Sequence, residues 1–439
     1  MKLSPEQVEI EKGLTKWYTS STTNAILEGK AGSGKTFLID SFLKKLGKMA
    51  KPLLIAETNE AVRVLREATF NQYSYATVCQ ALNLVPTVQE HELVLVQRSE
   101  PKLKELYNFI IVDEGSMLGE DKLAMLVALG IKTLFIAHRN QLPGIEKKLG
   151  RFMDCMPPVF NKPYPLFTLL GNMRNQGEIG DFCELAEQAI SDGTVLIPDK
   201  FIIYPTVFEN QLTCKQHATS FFKEKTVYLC YTNAVALERT AQIRFAIFGN
   251  LAYQQRFIIT DKIIFRRPTA LYAKPINRRS RFETVISNNK ANTFTKLTVN
   301  TRAVVKHVSE IFFLGMFVYE IYVETNHWDE AFASGFVYIP MIIEEFDKFL
   351  LQKRRDALYA AKVEQQRKWE LYHASFLLFA SVQHAYARTI HTAQGSTIPN
   401  VYVDENDIFT CQNLNLRNRL RYVAYSRPTN TLWRLRNVS

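Results

Sequence analysis

Eight consecutive residues, Gly29-Lys30-Ala31-Gly32-Ser33-Gly34-Lys35-Thr36, fit the phosphate-binding loop pattern G-x-x-x-x-G-K-[ST] at every fixed position. Glycines at these places let backbone N–H groups turn inward around phosphates. The lysine can reach the β- and γ-phosphates, and the threonine hydroxyl can ligate Mg²⁺. From average residue usage, a chance match in a chain this long has odds of about one in a hundred. Further along, the apolar run Ile110-Ile111-Val112 ends in Asp113-Glu114. Two carboxylates at a strand tip beside a phosphate loop suit phosphoryl transfer: Asp113 can hold the Mg²⁺ shell and Glu114 can polarise the water that attacks the γ-phosphate. An Asp-Glu pair alone is a common surface feature, but the loop upstream makes catalysis the stronger reading. The pattern predicts a nucleoside triphosphate site centred on Lys35, Thr36, Asp113 and Glu114.

Such a site needs strands to carry its loops. Asn24-Ala25-Ile26-Leu27-Glu28 reads as a strand entering the phosphate loop, and Thr36-Phe37-Leu38-Ile39-Asp40-Ser41-Phe42-Leu43 as a helix leaving it. Leu53-Leu54-Ile55-Ala56, Phe109-Ile110-Ile111-Val112 and Thr133-Leu134-Phe135-Ile136-Ala137 lack the alternation of a half-exposed sheet and read as buried parallel strands. Helical stretches at 60–69 and 121–129 lie between them. This is βαβ order, with phosphate bound after the first strand. The run Glu92-Leu93-Val94-Leu95-Val96-Gln97 predicts one strand of a small projecting hairpin. A second α/β unit begins past Pro157-Pro158, with strands at Val227-Tyr228-Leu229-Cys230 and Asn400-Val401-Tyr402-Val403. Residues 249–375 look inserted into it. They hold β-like runs (Arg302-Ala303-Val304-Val305-Lys306, Phe317-Val318-Tyr319-Glu320-Ile321-Tyr322-Val323) and turn helical from Ile342 to about Phe379.

Composition narrows the class. A chain of 439 residues, 47% apolar, is too long for one core and belongs to a soluble globular protein of two to four domains. No apolar run reaches the roughly 18 residues that a membrane span needs. The N-terminus lacks the apolar core of a signal peptide, which predicts a cytoplasmic protein. Six scattered cysteines without a C-x-x-C pair read as reduced core thiols. A net charge of +11 beside a phosphate loop points to a nucleic-acid partner.

Further motifs, in order along almost the whole chain, resemble those of superfamily 1 helicases of the RecD-like and phage Dda branch. Gln7 stands where that family reads adenine, and Ala56-Glu57-Thr58-Asn59-Glu60-Ala61 where it first grips the single strand. Asp113-Glu114-Gly115-Ser116-Met117 is close to D-E-x-S-M, and Gln141-Leu142-Pro143 matches the Q-L-P whose glutamine senses the γ-phosphate. Arg174, in Gly171-Asn172-Met173-Arg174-Asn175-Gln176, falls where motif IV carries its arginine. Thr389-Ile390-His391-Thr392-Ala393-Gln394-Gly395-Ser396-Thr397 matches motif V, and Tyr422-Val423-Ala424-Tyr425-Ser426-Arg427 matches motif VI.

The resemblance implies two RecA-like P-loop NTPase domains, at 1–84 with 106–156 and at 157–248 with 376–439, an α/β fold. It adds a strand-separating pin at 85–105 with Leu93, Val94 and Leu95 at its apolar tip. An SH3-like β domain with a helical arm would occupy 249–375. The implied activity is ATP-dependent, 5′→3′ DNA unwinding or translocation with Mg²⁺; an RNA helicase or a protein-displacing translocase is the alternative. Lys35, Asp113, Glu114, Gln141, Arg174 and Arg427 would be catalytic; Gln7, Gly29, Gly32, Ser33, Gly34, Lys35, Thr36, Gln394 and Gly395 would hold the nucleotide; Thr36 and Asp113 the metal. Thr58, Asn59, His391 and Thr392 would meet single-stranded DNA, with Arg266, Arg267, Arg278 and Arg279 of the insertion. Helix capping remains open for Thr58 and Asn59, ion pairing for Arg174, a solvated face for the basic insertion and a buried satellite for the hairpin. Expected partners are single-stranded and junction DNA and single-strand-binding or replication proteins, for a monomer in phage replication or recombination. Two residues depart from the family pattern: His138 stands where an acid is usual, and Glu57 where proline is frequent.

Overall fold

The structure, a computed structural model, describes residues 3–30, 32–89, 92–144, 156–171, 177–195, 202–203, 221, 226–276, 294–297, 299, 301–325 and 333–436. The chain divides into two compact units, Met1–Gln211 with Lys223–Ala236 and Arg388–Ser439, and Leu212–Phe222 with Leu237–Ala387.

The first unit contains two sheets. In chain order the early strands are β1 (Asn24–Gly29), β2 (Pro52–Ala56), β3 (Ser74–Thr77), β4 (Leu84–Gln89), β5 (Glu92–Gln97), β6 (Phe109–Asp113), β7 (Lys132–Ala137) and β8 (Leu166–Leu169). Six of them form one sheet in the order β3-β2-β6-β7-β1-β8, every pair parallel. Their continuous apolar runs arise because both faces are covered: Leu27, Ile111 and Leu134 face one core, Ile26, Ile110 and Phe135 the other. Helix α1 (Pro5–Thr19) and helix α2 (Lys35–Leu46) cover the first of these cores. Parallel order brings the strand ends Gly29, Ala56, Asp113 and Ala137 to one edge, with Ala56 opposite Asp113 and Glu28 opposite Ala137. The loops that leave this edge are the ones the sequence marks for chemistry. The remaining pair, β4 and β5, is an antiparallel hairpin with Leu84 opposite Gln97.

The second sheet runs Ala387–Thr389, Thr226–Cys230, Ile398–Asp404, Pro428–Leu435, Ile202–Ile203. The expected strands around 227–230 and 400–403 are thus neighbours, paired parallel from Thr226–Asn400 to Leu229–Val403. Helices Glu178–Asp192 and Leu414–Tyr425 pack together over it, and its core also takes in Leu142 from the first lobe.

The other unit holds a seven-stranded sheet, in which every neighbouring pair is antiparallel. Its longest hairpin, Arg302–Phe313 with Met316–Thr325, turns at Leu314 and Gly315, both with positive φ. The helical run expected from 342 to 379 is two helices, Ile343–Leu358 and Lys362–Leu378, packed on each other and broken at 359–361.

Candidate active site

The phosphate loop leaves β1 and ends in the first turn of α2. Gly32 and Gly34 take φ of +80° and +82°, the left-handed region that glycine enters without penalty. A methyl on Gly29 would lie 2.6 Å from Ser33 Oγ and 3.2 Å from Lys35 Cδ. Lys35 opens the helix, and its Nζ donates to the carbonyls of Gly29 (2.6 Å) and Lys30 (2.7 Å). Thr36 follows on the same turn, at the helix end where backbone N–H groups favour anions. Ser33 Oγ is buried and has no hydrogen-bond partner among the described residues. Gln7 sits at the third position of α1 in a capping box with Ser4: its Oε1 accepts from Ser4 N (3.0 Å), while its Nε2 is buried with no hydrogen-bond partner among the described residues.

Asp113 ends β6, and Glu114 follows in a left-handed conformation, φ +52°, rare for a residue with a side chain. Glu114 N donates to Asp113 Oδ1 (3.0 Å), and Gln141 Nε2 donates to Glu114 Oε2 (2.9 Å). Burial first, and then the Glu114 charge, push Asp113 up to about 7, with Lys35 opposing. Two adjacent carboxylates in a desolvated pocket with one ammonium nearby suit a divalent cation. Thr36 Oγ1 and Asp113 are the residues that would hold it.

The second lobe contributes Gly395 and Arg427. Gly395 has φ +81°, and a methyl there would lie 3.6 Å from Glu114 Oε1. Arg427, 2% exposed, donates to Val423 O (3.0 Å), Ser396 O (3.1 Å) and Ser426 Oγ (2.7 Å). Burial lowers its pKa, and Glu114 is the leading charge that holds it up. Gln394 Nε2 reaches Leu142 O at 3.4 Å, so the loop of motif V touches the loop carrying Gln141.

Two contributors escape a reading of the sequence. Arg419 is buried and donates to the carbonyls of Arg139 and, at 3.0 Å, Gln141, while Asn415 Oδ1 holds its Nε (2.7 Å). It lies in Arg417-Asn418-Arg419-Leu420-Arg421, which looks like a solvated basic stretch. Glu187, midway along the helix Glu178–Asp192, pairs with Lys30 of the phosphate loop (2.6 Å) and carries no motif.

The residues assigned to the strand are less gathered. Thr58 caps the helix Asn59–Ala68, its Oγ1 accepting from Ala61 N (3.1 Å), and Asn59 opens that helix. Glu57 pairs with Lys122. His391 packs tilted against Tyr231 (6.2 Å), burial pushes its pKa down to about 4, and its Nε2 is buried with no hydrogen-bond partner among the described residues. Thr392 is exposed, its hydroxyl donating to Thr389 O (2.8 Å). Arg266 is exposed. Arg267 is clasped instead: it donates to Phe379 O (3.0 and 2.7 Å) and lies over the rings of Phe346 and Phe376. Leu95 is exposed on β5; the side chains of Leu93 and Val94, and Arg174, Arg278 and Arg279 entirely, lie outside the described residues.

Two family profiles match the chain: an AAA domain over residues 17–146 and a UvrD-like helicase C-terminal domain over 384–433. An uncharacterized protein, R530 of Acanthamoeba polyphaga mimivirus, is 22% identical, covering 92% of this chain and 94% of the relative. Among solved structures, one of two coordinating Pif1 helicases, described as a basis for DNA unwinding at forked dsDNA, aligns with a TM-score of 0.55 and 14% identity, over 100% of this chain and 93% of that one. Pif1 from Bacteroides in complex with ADP-AlF3 and ssDNA gives 0.52 and 14%, over 100% and 94%. Pif1 from Candida albicans gives 0.50 and 16%, over 99% and 95%. These likenesses share mixed α/β architecture with parallel sheets, as in two RecA-like domains.

Proposed function

We propose that this chain, a superfamily 1 helicase of the Pif1/RecD-like type by its fold and its two family matches, is an ATP-driven motor moving 5′→3′ on single-stranded DNA. The observation that carries the reading is the set of groups around Glu114, with Gln141 bonded to it from one lobe and Gly395 against it from the other. Mg²⁺, held by Thr36 and Asp113, would supply charge neutralisation for the β- and γ-phosphates. Lys35 binds the same phosphates from the start of α2. Glu114 takes the proton of the attacking water, and Gln141 orients that carboxylate. Gln7, whose Nε2 makes no hydrogen bond among the described residues, offers a donor to the base. Arg427, with Arg174 as the expected second arginine, counters the charge that develops on the γ-phosphate.

Because Arg427 and Gly395 belong to the second lobe, hydrolysis depends on how the lobes close. Thr58, Asn59, His391, Thr392 and Arg266 are the candidates for gripping the strand, and the β4–β5 hairpin is the candidate wedge at a duplex junction. The ring Nε2 of His391, unbonded among the described residues, and the exposed Arg266 support this assignment.

The test is ATP hydrolysis with and without single-stranded DNA, beside Glu114→Gln. DNA should stimulate the wild type strongly, and the variant should lose at least about 100-fold. Unwinding of 5′-tailed but not 3′-tailed duplexes then fixes direction. Hydrolysis indifferent to DNA would reject the reading and favour an RNA partner, and tight nucleotide binding without turnover would make the site a switch.

A further inference from the structure

We infer that Glu187 is a positioning residue of the nucleotide site, a carboxylate from the second lobe that holds the phosphate loop through Lys30 and the Gln141 loop through His138. The inference rests on the ATPase reading above and deepens it. Glu187 Oε2 lies 2.6 Å from Lys30 Nζ, and Oε1 faces His138 Nε2 at 3.4 Å. Both acidic and imidazole side chains are largely buried. At 3.4 Å the approach of Oε1 to Nε2 is a close polar contact short of a hydrogen bond, and Oε1 has no hydrogen-bond partner among the described residues.

His138 is built to receive it. Asn140 N donates to His138 Nδ1 (3.3 Å), which leaves the ring proton on Nε2, the atom that faces Glu187. The ring stacks on Tyr422 of the second lobe, 5.3 Å between centroids and 21° apart in plane. Its backbone is locked to Ser116, whose Oγ accepts from His138 N (2.8 Å) and donates to His138 O (3.0 Å). Ser116 is two residues beyond Glu114, and Gln141 three beyond His138, so a pull on His138 is felt at the water-activating pair. The charged groups near this imidazole are Lys35, Lys30, Arg139 and Arg419 besides Glu187. Arg139 is bonded to Glu28 (2.6 Å) and Lys35 acts on Asp113, so Glu187 is the carboxylate that faces Lys30. Removing it takes this carboxylate from Lys30 at the mouth of the phosphate loop.

The experiment compares Glu187→Gln, His138→Asp and the double variant by DNA-stimulated hydrolysis and by binding of a fluorescent ADP. Glu187→Gln should lower kcat about tenfold or more and tighten ADP at least about threefold, because Lys30 is released to the phosphates. His138→Asp sets two carboxylates face to face and should also lower kcat. Adding Glu187→Gln to it should recover at least about tenfold, since the amide donates to the new acid. A double variant no better than His138→Asp, or a Glu187→Gln kcat within twofold of wild type, would overturn the role. Unchanged ADP affinity in Glu187→Gln would overturn it even if the wild type ignored DNA, an outcome that separately rejects the motor.

Discussion

His138 is 5% exposed and offers a pH handle on the site. Burial, and then Lys35, Lys30, Arg139 and Arg419, hold its pKa at about 3. An unfolded histidine takes up its proton near 6.5. Below roughly that pH the unfolded chain gains a proton that the folded chain refuses, so stability falls as pH drops from about 6.5 toward 3. Above 6.5 the residue adds no pH dependence. His138→Gln should therefore narrow the gap in Tm between pH 7 and pH 5; an unchanged gap would remove His138 as a source of acid sensitivity. Lys35, Asp113 and Glu114 were legible from sequence because each sits inside a contiguous pattern whose spacing is its chemistry. Glu187 and Arg419 were not, because their partners are remote: Arg419 and Gln141 are 278 positions apart and meet only through packing. Arg267 gives the opposite lesson. It reads as part of a basic patch, yet its guanidinium is spent on Phe379 O and two rings.

Among the elements, the short helix Glu405–Phe409 is a buried junction. Glu405 accepts from Arg421 (3.0 Å) and Tyr425 of the helix Leu414–Tyr425, and from Arg434 (3.0 Å) of the strand Pro428–Leu435. All of these groups are out of solvent, and the two arginines hold the carboxyl below the usual range despite burial. Arg427 lies between that helix and that strand. Glu405→Ala leaves two guanidinium groups uncompensated, so a loss of about 3–5 kcal/mol is expected in urea unfolding. A loss below 1 kcal/mol would mean that the arginines find other partners. Strands β1, β2, β6 and β7 were legible because burial on both faces writes an unbroken apolar run. The break at 359–361 was not, since Tyr359-Ala360-Ala361 contains neither glycine nor proline and the turn is set by the packing of the two helices.

For the whole molecule, the division into two compact units predicts unfolding in two steps. Only one unit carries the phosphate loop, Glu114 and Arg427, so calorimetry with ADP and Mg²⁺ should raise one transition and leave the other where it is. At a ligand concentration 100 times Kd, the shift corresponds to about 2.7 kcal/mol. A single transition, or equal shifts in both, would contradict this independence. The interleaving of the units along the chain also has a consequence for synthesis. Lys35 and Arg427 face the same site but are made far apart in time: at about 5–20 residues per second, the ribosome would add the arginine roughly 20–80 s after the lysine. For the proposed motor, any nucleotide met by the first lobe in that interval is met before its partner arginine exists. On the function proposed above, such a nascent chain would hold its fuel without being able to burn it until the later lobe has emerged and folded.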